Sequence, residues 1–417
     1  MNLNKKIVIL GGGQSAVYAA KEIRINDSKA DITIISEEKV LAYERPPLSK
    51  DYITDKKKLE DFIFFNSEFY STNNIDYIKN TKIINIDFQN KVLFSQDNNQ
   101  FIYDKLLIAT GSVNRNIDLN IENNNDKVLS LRNKEDSDRI KNKLKESKKV
   151  LIIGGGFIGL EIAASANELG KEVYVIEMNN QLMGRIIPKK ISNLCKKIHE
   201  INGNKIYLNT TIEKIISSKN SYEIKLSNDE IIFVDLIILG IGSVANTELF
   251  KDKDIKIDNG IITNEYCETS QKDVYAAGDV SNFFHPFYNK YIRLESYQHA
   301  QNHGICAGRN IIGIKEVYNS IPWMWSDQLN INIQLTGLCE DFDKILQRGN
   351  NIDEGVIDFF IKDNEIKGAC GIGIKGKIGR DIKLASKILE KKLKIDVSNI
   401  VDKNFNMSKM LKKSINL

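Results

Sequence analysis

Two stretches decide the fold: "KKIVILGGGQSAVYAAKEIR" (residues 5–24) and "KKVLIIGGGFIGLEIAASANELG" (residues 148–170). Each begins with an apolar run typical of a buried strand, continues through three glycines, and ends in a helix-like pattern. Further on, "DITII" (31–35) and "VYVI" (173–176) predict a second strand after each helix. Glu37 follows the first of these strands, and Glu177 ends the second. The chain therefore carries a strand–glycine–helix–strand motif twice.

The glycines of both motifs follow the G-x-G-x-x-G/A spacing that binds a dinucleotide. The first glycine permits a tight turn, the second lets a pyrophosphate approach the backbone, and the third lets helix and strand pack closely. The helix N-terminus offers free N–H groups, and the later acid accepts hydrogen bonds from ribose hydroxyls. The matching positions are Gly11, Gly13 and Ala16 in the first motif, and Gly154, Gly156 and Gly159 in the second.

A third match to this spacing, Gly371, Gly373 and Gly376 in "ACGIGIKGKIG" (369–379), lacks the surrounding pattern. No comparably apolar strand precedes it, and no second strand with a terminal acid follows. We therefore predict that these glycines serve turns in a sheet and bind no nucleotide.

Three later segments complete the two nucleotide folds. "YDKLLIATGS" (103–112) and "DVYAAGDV" (273–280) are short strands followed by a glycine, and "DLIILGIGSVANTEL" (235–249) is a matching strand for the second motif. Two dinucleotides, the first FAD-like and the second NAD-like, are the arrangement of flavoprotein pyridine-nucleotide oxidoreductases. The predicted fold class is α/β: two Rossmann-like dinucleotide-binding domains in a glutathione-reductase-like arrangement, plus a C-terminal α/β domain.

The composition limits the other possibilities. The 417 residues carry a net charge of +4 and are 42% hydrophobic, which indicates a globular protein without a nucleic-acid partner. No apolar run approaches the roughly 18 residues of a membrane span, and the five dispersed cysteines contain no CxxC. His299 and His303 have an i, i+4 spacing but no nearby acidic or cysteine ligands, so we predict no metal site. These features predict a cytoplasmic protein with reduced thiols.

With these pieces in order, the chain resembles the ferredoxin reductase family that serves oxygenase systems. The resemblance covers roughly residues 5 to 345 and is carried by "YERPPLSKDY" (43–52), "LLIATGS" (106–112), "VLIIGGGFIGLEIAA" (150–164), "VYAAGDV" (274–280), "RLESYQHAQ" (293–301) and "PWMWSDQ" (322–328). It implies an FAD-binding domain in two parts (1–113 and 247–320), an inserted NAD-binding domain (114–246) and a C-terminal α/β reductase domain (321–417).

The segment "YERPPLSK" (43–50) holds two of the five prolines of the chain. Proline fixes φ, and the residue before a proline avoids the helical region, so we predict a stiff, extended segment that delivers Ser49 and Lys50 to a definite place. The resemblance implies that Lys50 lies near N5 and O4 of the flavin. It also implies that Glu161 is the acidic partner of this lysine. These two residues are the candidate catalytic residues.

The resemblance and the glycine motifs together imply two sets of cofactor-binding residues. For FAD, these are Gly11, Gly13, Ser15, Ala16, Glu37, Arg45, Lys50, Ile83, Thr110, Gly111, Arg132, Asp279, Tyr297 and Trp325. For the nicotinamide nucleotide, they are Gly154, Gly156, Phe157, Ile158, Gly159, Glu177, Arg185 and Gly242. Asp279 would bind the ribityl chain, and Tyr297 would begin a helix aimed at the N1–C2=O edge of the flavin. Trp325 would lie near the electron exit, although a role in the core remains an alternative for it.

Glu177 also bears on the choice of coenzyme. A carboxylate at this position pairs with the ribose 2′-hydroxyl and repels a 2′-phosphate. The following residues, "MNNQ" (178–181), offer no arginine to receive that phosphate, so NADH is favoured. Arg185 leaves some use of NADPH open.

These observations predict an NADH-dependent, FAD-containing reductase. No cysteine precedes Cys195, which excludes disulfide-reductase chemistry. We therefore expect two electrons to enter together, as one hydride, and to leave singly. The implied acceptor is a [2Fe–2S] ferredoxin that supplies an oxygenase. The alternatives are a rubredoxin reductase and a slowly turning, NADH-sensing flavoprotein of the apoptosis-inducing-factor type. The sequence leaves a monomer and a homodimer equally open.

Two surface features are also predicted. The asparagine-rich stretch "DLNIENNNDK" (118–127) is typical of a surface loop. Arg380, Lys383, Lys387 and Lys391 lie near one face of a predicted helix. This face is either ordinary solvated surface, which is the more common case, or a docking face for an acidic ferredoxin.

Overall fold

The computed structural model describes residues 5–117, 119, 128–218 and 221–413. The predicted loop at 118–127 lies outside the described residues, apart from Leu119. The chain divides into two compact units. The first comprises Met1–Glu44, Lys58–Val113 and Ser243–Ser320, and the second comprises Arg45–Lys57, Asn114–Gly242 and Ile321–Leu417.

The strands and helices of the described residues follow in chain order. The strands are β1 (Lys6–Leu10), β2 (Asp31–Ile35), β3 (Ile75–Ile78), β4 (Ile83–Asp87), β5 (Val92–Ser95), β6 (Gln100–Ile102), β7 (Lys105–Ile108), β8 (Ser112–Asn114), β9 (Val128–Ser130), β10 (Lys149–Ile153), β11 (Glu172–Ile176), β12 (Lys205–Tyr207), β13 (Ile212–Ser217), β14 (Tyr222–Leu226), β15 (Ile231–Val234), β16 (Leu236–Leu239), β17 (Ser243–Ala245), β18 (Ile261–Thr263), β19 (Val274–Ala276), β20 (Ser281–His285), β21 (Lys290–Ile292), β22 (Trp323–Gln328), β23 (Ile331–Gly337), β24 (Lys344–Arg348), β25 (Val356–Lys362) and β26 (Glu365–Ile374). The helices are α1 (Gln14–Asn26), α2 (Ser67–Thr72), α3 (Lys134–Glu146), α4 (Phe157–Glu168), α5 (Lys189–Ile201), α6 (Tyr297–Ile311), α7 (Gly379–Glu390), α8 (Val397–Val401) and α9 (Ser408–Lys413).

The first unit is built around a five-stranded parallel sheet in the order β19-β7-β1-β2-β3. Strand β1 lies in the middle of this sheet, with Ile9 opposite Ile34 on one side and Leu107 on the other. Because helices cover a parallel sheet on its faces, its central strand is apolar and buried from Ile7 to Leu10, and Ile9 is fully buried. The first glycine motif therefore forms the nucleotide-binding fold that the sequence predicted.

The second unit repeats this design with a parallel sheet in the order β12-β11-β10-β16-β9. Strand β10 lies at its centre, paired with β11 and β16. The three-stranded antiparallel sheet β13-β14-β15 packs on one face, where Tyr222 and Ile224 join the same buried cluster as Leu151 and Tyr174. The second glycine motif therefore also forms a nucleotide-binding fold.

The last part of the second unit is an antiparallel sheet in the order β22-β23-β26-β25-β24, followed by α7. The predicted turns at the third glycine match are only partly correct. Gly376 lies in a turn with φ +91°, but Gly371 and Gly373 lie inside β26. A Cβ on Gly373 would lie 2.9 Å from Cα of Gly355, so this glycine is explained by the close approach of a neighbouring backbone.

The predicted extended conformation of the Pro-Pro segment is wrong. Pro46–Ser49 form a short 3-10 helix, and Arg45 before it adopts a helical conformation, with φ −79° and ψ −29°. Proline is compatible with the first turn of such a helix because the missing N–H would have no partner there. The N–H of Leu48 donates to Arg45 O, and the N–H of Lys50 donates to Pro47 O. The segment is still held in one conformation, but by a helical turn.

The buried histidines of α6 take structural roles. Nδ1 of His299 shares a hydrogen bond with the Tyr318 hydroxyl at 2.9 Å, and the His299 ring stacks on Phe283. Nδ1 of His303 accepts from the N–H of Gly278 at 3.2 Å. Among the residues described here, no group of histidine, cysteine and acidic side chains could hold a metal ion. Likewise, none of their helices has the length and apolar character of a membrane span.

Burial of His299 predicts that acid destabilises the fold. Its pKa is lowered from 6.5 to about 4, chiefly because burial disfavours the charged ring. The unfolded chain therefore binds the proton first, and stability is lost as the pH falls from 6.5 towards 4. This residue alone should remove about 3 kcal/mol from the free energy of unfolding. Urea unfolding at several pH values would measure the loss, and His299→Gln should flatten the curve; an equal slope in that variant would contradict the assignment.

Candidate functional site

The first glycine turn leaves room for an anion. Gly11 has φ +117°, and a Cβ on it would lie 2.2 Å from Ala109 O, so only glycine fits. Gly13 differs, because a Cβ there would meet nothing within 4 Å. Helix α1 starts directly after Gly13 and has no side-chain cap, so its first N–H groups face this open space. A pyrophosphate fits such a turn.

Gln14, which the sequence analysis missed, belongs to the same turn. It is the first residue of α1, and its buried Nε2 has no hydrogen-bond partner among the described residues. Buried donors are normally paired, so an unpaired amide at this position is consistent with a ligand that accepts from it. The available signal was an amide side chain directly after the three glycines.

Ser15 joins α1 to α6 and to the Gly278–Asp279 turn. Its hydroxyl donates to Ala300 O at 2.7 Å, and a Cβ on Gly278 would lie 2.4 Å from Ser15 Oγ. The neighbouring Asp279 carboxylate accepts from the Ser112 hydroxyl at 2.9 Å. The third position of the motif, Ala16, is fully buried. The structure therefore brings Ser15, Ala16 and Asp279 together around the first turn.

Thr110 and Gly111 follow strand β7 of the same sheet. The Thr110 hydroxyl donates to Asn246 O at 2.9 Å, and Gly111 O accepts from the N–H of Asn246 at the same distance. Gly111 has φ +70°. These contacts hold the turn after β7 beside the carboxyl end of the parallel sheet, where ligands of such folds bind.

Tyr297 is the first residue of α6, as predicted. The Ser296 side chain caps the helix by accepting from the N–H of His299, and the Tyr297 hydroxyl donates to Glu44 at 3.0 Å. The pKa of Tyr297 is raised, first by burial and then by the hydrogen bond to Glu44, so its hydroxyl stays protonated.

The structure gives less support to Glu37 and Ile83 as FAD-binding residues than to the residues above. The N–H of Gly11 donates to Ile35 O, and the N–H of Gly154 donates to Ile176 O, so Ser36 and not Glu37 is the counterpart of Glu177. The Glu37 side chain is 67% exposed and lies 3.6 Å from the Lys82 ammonium. Ile83 is buried in the apolar cluster of the first unit.

The second glycine turn is crowded at its first and third glycines. A Cβ on Gly154 would lie 2.6 Å from Gly240 O, and one on Gly159 would lie 2.4 Å from Gly154 O. Gly156 has more room, with Gly240 O at 3.4 Å. Helix α4 begins at Phe157 without a side-chain cap, and Ile158 in its first turn is 45% exposed. This geometry also fits a pyrophosphate.

Glu177 is held in place beside this turn. One carboxylate oxygen accepts from the N–H of Gly155 at 2.8 Å, and the other accepts from the N–H and side-chain amide of Asn179. The exposed Arg185 lies near Gly242, whose Cβ would be 3.6 Å from a guanidinium nitrogen. The acid and the arginine thus both lie at the carboxyl end of the second sheet.

The Lys50–Glu161 pair predicted from the resemblance is present. The ammonium lies 2.6 Å from Oε2 of Glu161, and the two side chains are only 19% and 5% exposed. Lys50 also donates to Pro46 O at 3.2 Å, and the Ser49 hydroxyl donates to the same carboxylate oxygen. The 3-10 turn therefore directs both Ser49 and Lys50 at one acid in α4.

Arg45, Arg132 and Trp325 also lie in the second unit. The Arg45 guanidinium donates to Arg132 O, and the N–H of Arg132 donates to the Asp136 carboxylate at 3.0 Å. Trp325 is half-buried and stacks on Trp323, with ring centroids 5.0 Å apart. The stack arises because alternate residues of β22 point to the same side.

Two family models match this chain. Residues 5–304 match pyridine nucleotide-disulphide oxidoreductases, and residues 323–411 match the reductase C-terminal model. The rubredoxin-NAD(+) reductase of Ectopseudomonas oleovorans is 34% identical over 83% of this chain and 90% of its own length. The 3-phenylpropionate/cinnamic acid dioxygenase ferredoxin–NAD(+) reductase component of Photorhabdus laumondii is 30% identical over 93% of this chain and 96% of its own.

Two solved structures are similar over nearly the whole chain. The ferredoxin reductase for the CYP199A2 system from Rhodopseudomonas palustris has a TM-score of 0.91 and 28% identity, covering 97% of this chain and 99% of its own. The reductase in the covalent putidaredoxin reductase–putidaredoxin complex has a TM-score of 0.93 over 100% of both chains, and at 24% identity this likeness concerns the fold. The predicted α/β fold and the predicted resemblance are confirmed.

Proposed function

This chain belongs to the pyridine nucleotide-disulphide oxidoreductase family, and we propose that it is an FAD-containing reductase that passes electrons from NADH to a small iron–sulfur protein. The observation that carries this function is the presence of two glycine turns, each at the carboxyl end of its own parallel sheet, in a chain whose five cysteines are all unpaired. Without a disulfide, FAD would supply the redox chemistry when bound: it accepts one hydride, which carries two electrons, from NADH and releases the electrons singly.

The residues of the first unit hold FAD. The open space at Gly13 and the free start of α1 receive the pyrophosphate, with the Gln14 amide as a further donor. The Asp279 carboxylate would accept from the ribityl chain, and Thr110 and Gly111, beside the carboxyl end of the first sheet, would add further FAD contacts. Helix α6 begins at Tyr297, and the partial positive charge of its start would stabilise negative charge on the flavin ring.

The residues around the second glycine turn would hold NADH. Gly154, Gly156, Phe157, Ile158 and Gly159 form the pyrophosphate turn, while Gly242 and Arg185 lie at the same sheet end. Lys50, held by Glu161, would supply a positive charge to the flavin, and Arg45, Arg132 and Trp325 are the further residues that we propose for it. In this proposal, the pair would hold the geometry and charge of the site and would take no part in the hydride transfer itself.

Glu177 selects NADH over NADPH in this proposal, so replacing it should change the preference. In Glu177→Ala with Asn179→Arg, the repelling carboxylate is lost and a guanidinium can bind the 2′-phosphate. The kcat/KM ratio of NADPH to NADH should rise at least tenfold, as expected from a charge-assisted hydrogen bond of about 1.5–3 kcal/mol. Glu200→Ala, which removes an exposed acid on α5 with no proposed cofactor contact, is the control. An unchanged ratio in the double variant would count against Glu177 as the selecting residue.

The electron acceptor is a [2Fe–2S] ferredoxin or a rubredoxin. The relatives described above are named for both, and the rubredoxin-NAD(+) reductase is as similar to this chain as the dioxygenase component. Anaerobic mixing with NADH should bleach the flavin, and cytochrome c should be reduced rapidly only after one of the two iron–sulfur proteins is added. Bleaching followed by slow reoxidation with both acceptors would instead support an NADH-sensing role.

Helix α7 carries basic residues that an acidic electron acceptor could contact. Arg380, Lys383 and Lys387 are exposed on α7, so this face is available to an acidic partner.

The unpaired cysteines are those of a protein in a reducing compartment, and we assign the chain to the cytoplasm.

A further inference from the structure

A chain of buried hydrogen bonds starts at Glu161 and leads to helix α5. The Ser326 hydroxyl donates to Oε1 of Glu161 at 2.6 Å, and the Gln328 amide donates to Ser326 Oγ at 3.0 Å. Both residues lie on β22 and are 1% exposed. Because side chains alternate along a strand, they point to the side of β22 opposite Trp325.

The far end of this chain is anchored on helix α5. Nε2 of His199 lies 3.0 Å from Oε1 of Gln328, and the Cys195 thiol donates to the same oxygen at 3.3 Å. Nδ1 of His199 lies 2.9 Å from the Asn204 amide. His199 is fully buried, and burial lowers its pKa, so the ring is neutral. Burial likewise raises the pKa of Cys195 to about 12, which keeps the thiol a donor.

The carboxylate sets the direction of every hydrogen bond in this chain. An ionised carboxylate only accepts, so Ser326 donates to it and must itself accept from the amide of Gln328. The amide oxygen of Gln328 then faces the two donors, His199 Nε2–H and the Cys195 thiol. Asn204 agrees with this arrangement, because its amide donates to Nδ1 and leaves the proton of His199 on Nε2. All donors therefore point towards Glu161.

We propose that Ser326 and Gln328 are positioning residues that hold the Glu161 carboxylate in one orientation towards Lys50. This inference rests on the proposed role of the Lys50–Glu161 pair at the flavin. A buried carboxylate is stable as an anion only when its oxygens are hydrogen-bonded. Oε2 is already bound by Lys50 and Ser49, so Ser326 is the donor that Oε1 depends on among the described residues.

Removing this donor should change the charge that the flavin experiences. In Ser326→Ala, Oε1 of Glu161 loses this donor and the carboxylate turns from Lys50, so the lysine charge is less neutralised. A less neutralised charge favours the reduced flavin, so the midpoint potential should rise by about 30 mV, the equivalent of a tenfold shift for a two-electron couple. Gln328→Met should shift it in the same direction. Ser326→Thr keeps the hydroxyl and should restore the wild-type potential.

The matched control is Thr336→Val in the neighbouring strand β23. It also removes a fully buried hydroxyl, which donates to Pro322 O, but its hydroxyl is not part of this chain. Both variants lose a buried hydroxyl, so thermal stability does not distinguish them and does not decide the question. A raised potential in Ser326→Ala with an unchanged one in Thr336→Val would support the proposal; equal potentials in wild type and Ser326→Ala would overturn it.

The role of the pair itself is tested separately. If Lys50→Met leaves the potential and the flavin reduction rate unchanged, the pair does not act on the flavin, and the potential no longer reports on Ser326. The crystal structure of Ser326→Ala then decides: a carboxylate of Glu161 that turns from its wild-type orientation supports the positioning role, and one that keeps this orientation overturns it. A failure of the proposed function is thereby distinguished from a failure of this inference.

Discussion

Lys50→Met is expected to slow the reduction of the flavin by NADH about 100-fold, the loss that follows when one preorganised charged donor is removed from a reaction centre. The structure holds the Lys50 ammonium in one place by Glu161 at 2.6 Å and Pro46 O at 3.2 Å. A positive charge held in this way needs no reorganisation during the reaction. Methionine keeps a similar length and removes the charge, so the comparison isolates electrostatics from packing.

The rate of flavin reduction is measured by anaerobic stopped flow, which follows the loss of the visible absorbance of oxidised flavin under single-turnover conditions. The protein used is one whose flavin content has been determined. Lys56→Met is the matched control, because Lys56 lies in the same segment and pairs with Glu168, but its side chain is 53% exposed. Exposed pairs contribute little, so this variant should react as the wild type does. A wild-type rate in Lys50→Met with full flavin content would refute the assigned role of the lysine.

Gly304→Val should destabilise the first unit by about 3 kcal/mol and lower its flavin content, because two helices touch at this glycine. A Cβ on Gly304 would lie 2.3 Å from Ser15 O and 2.8 Å from Ser15 Cα. One turn later, a Cβ on Gly308 would lie 2.7 Å from Ala19 O. All of these are backbone atoms, so α1 and α6 must separate to admit a side chain. Since α1 begins at the glycine turn, that movement also displaces the proposed FAD site.

Urea unfolding and the ratio of FAD to protein would measure both effects. Asn302→Val, on the same helix but only half-buried, introduces the same side chain without meeting α1 and serves as the control. Full flavin content and unchanged stability in Gly304→Val would show that the contact between α1 and α6 does not support the site.

The parts of the fold that could be predicted from sequence are those that local chemistry determines. Gly11 and Gly154 both have positive φ and closely approach the backbone that follows a neighbouring strand, so no other residue type fits there. The motif can therefore be recognised from the sequence. The apolar runs before them are buried central strands, as their lack of polar residues indicated. The pairing of Lys50 with Glu161 came from the resemblance, since 111 positions of sequence separate the two residues.

The parts that could not be predicted depend on neighbours distant in sequence. Proline limits φ but is compatible with both an extended and a 3-10 conformation, and the helical turn at Pro46–Ser49 was therefore missed. Gln14, Ser326 and Gln328 are ordinary polar residues in the sequence. Only burial, and the partners found or lacking in the structure, distinguish them from surface side chains.

The sequence by itself determined that this chain forms two nucleotide-binding folds, because steric limits on the backbone and the burial of strands act over a few neighbouring residues. Only the tertiary structure decided which polar atoms share the interior: Ser49 and Lys50 from a 3-10 turn, Glu161 from α4, and Ser326 from β22. A hydrogen bond acts over about 3 Å, and the residues that it joins here are separated by more than 100 positions, so no local pattern records it.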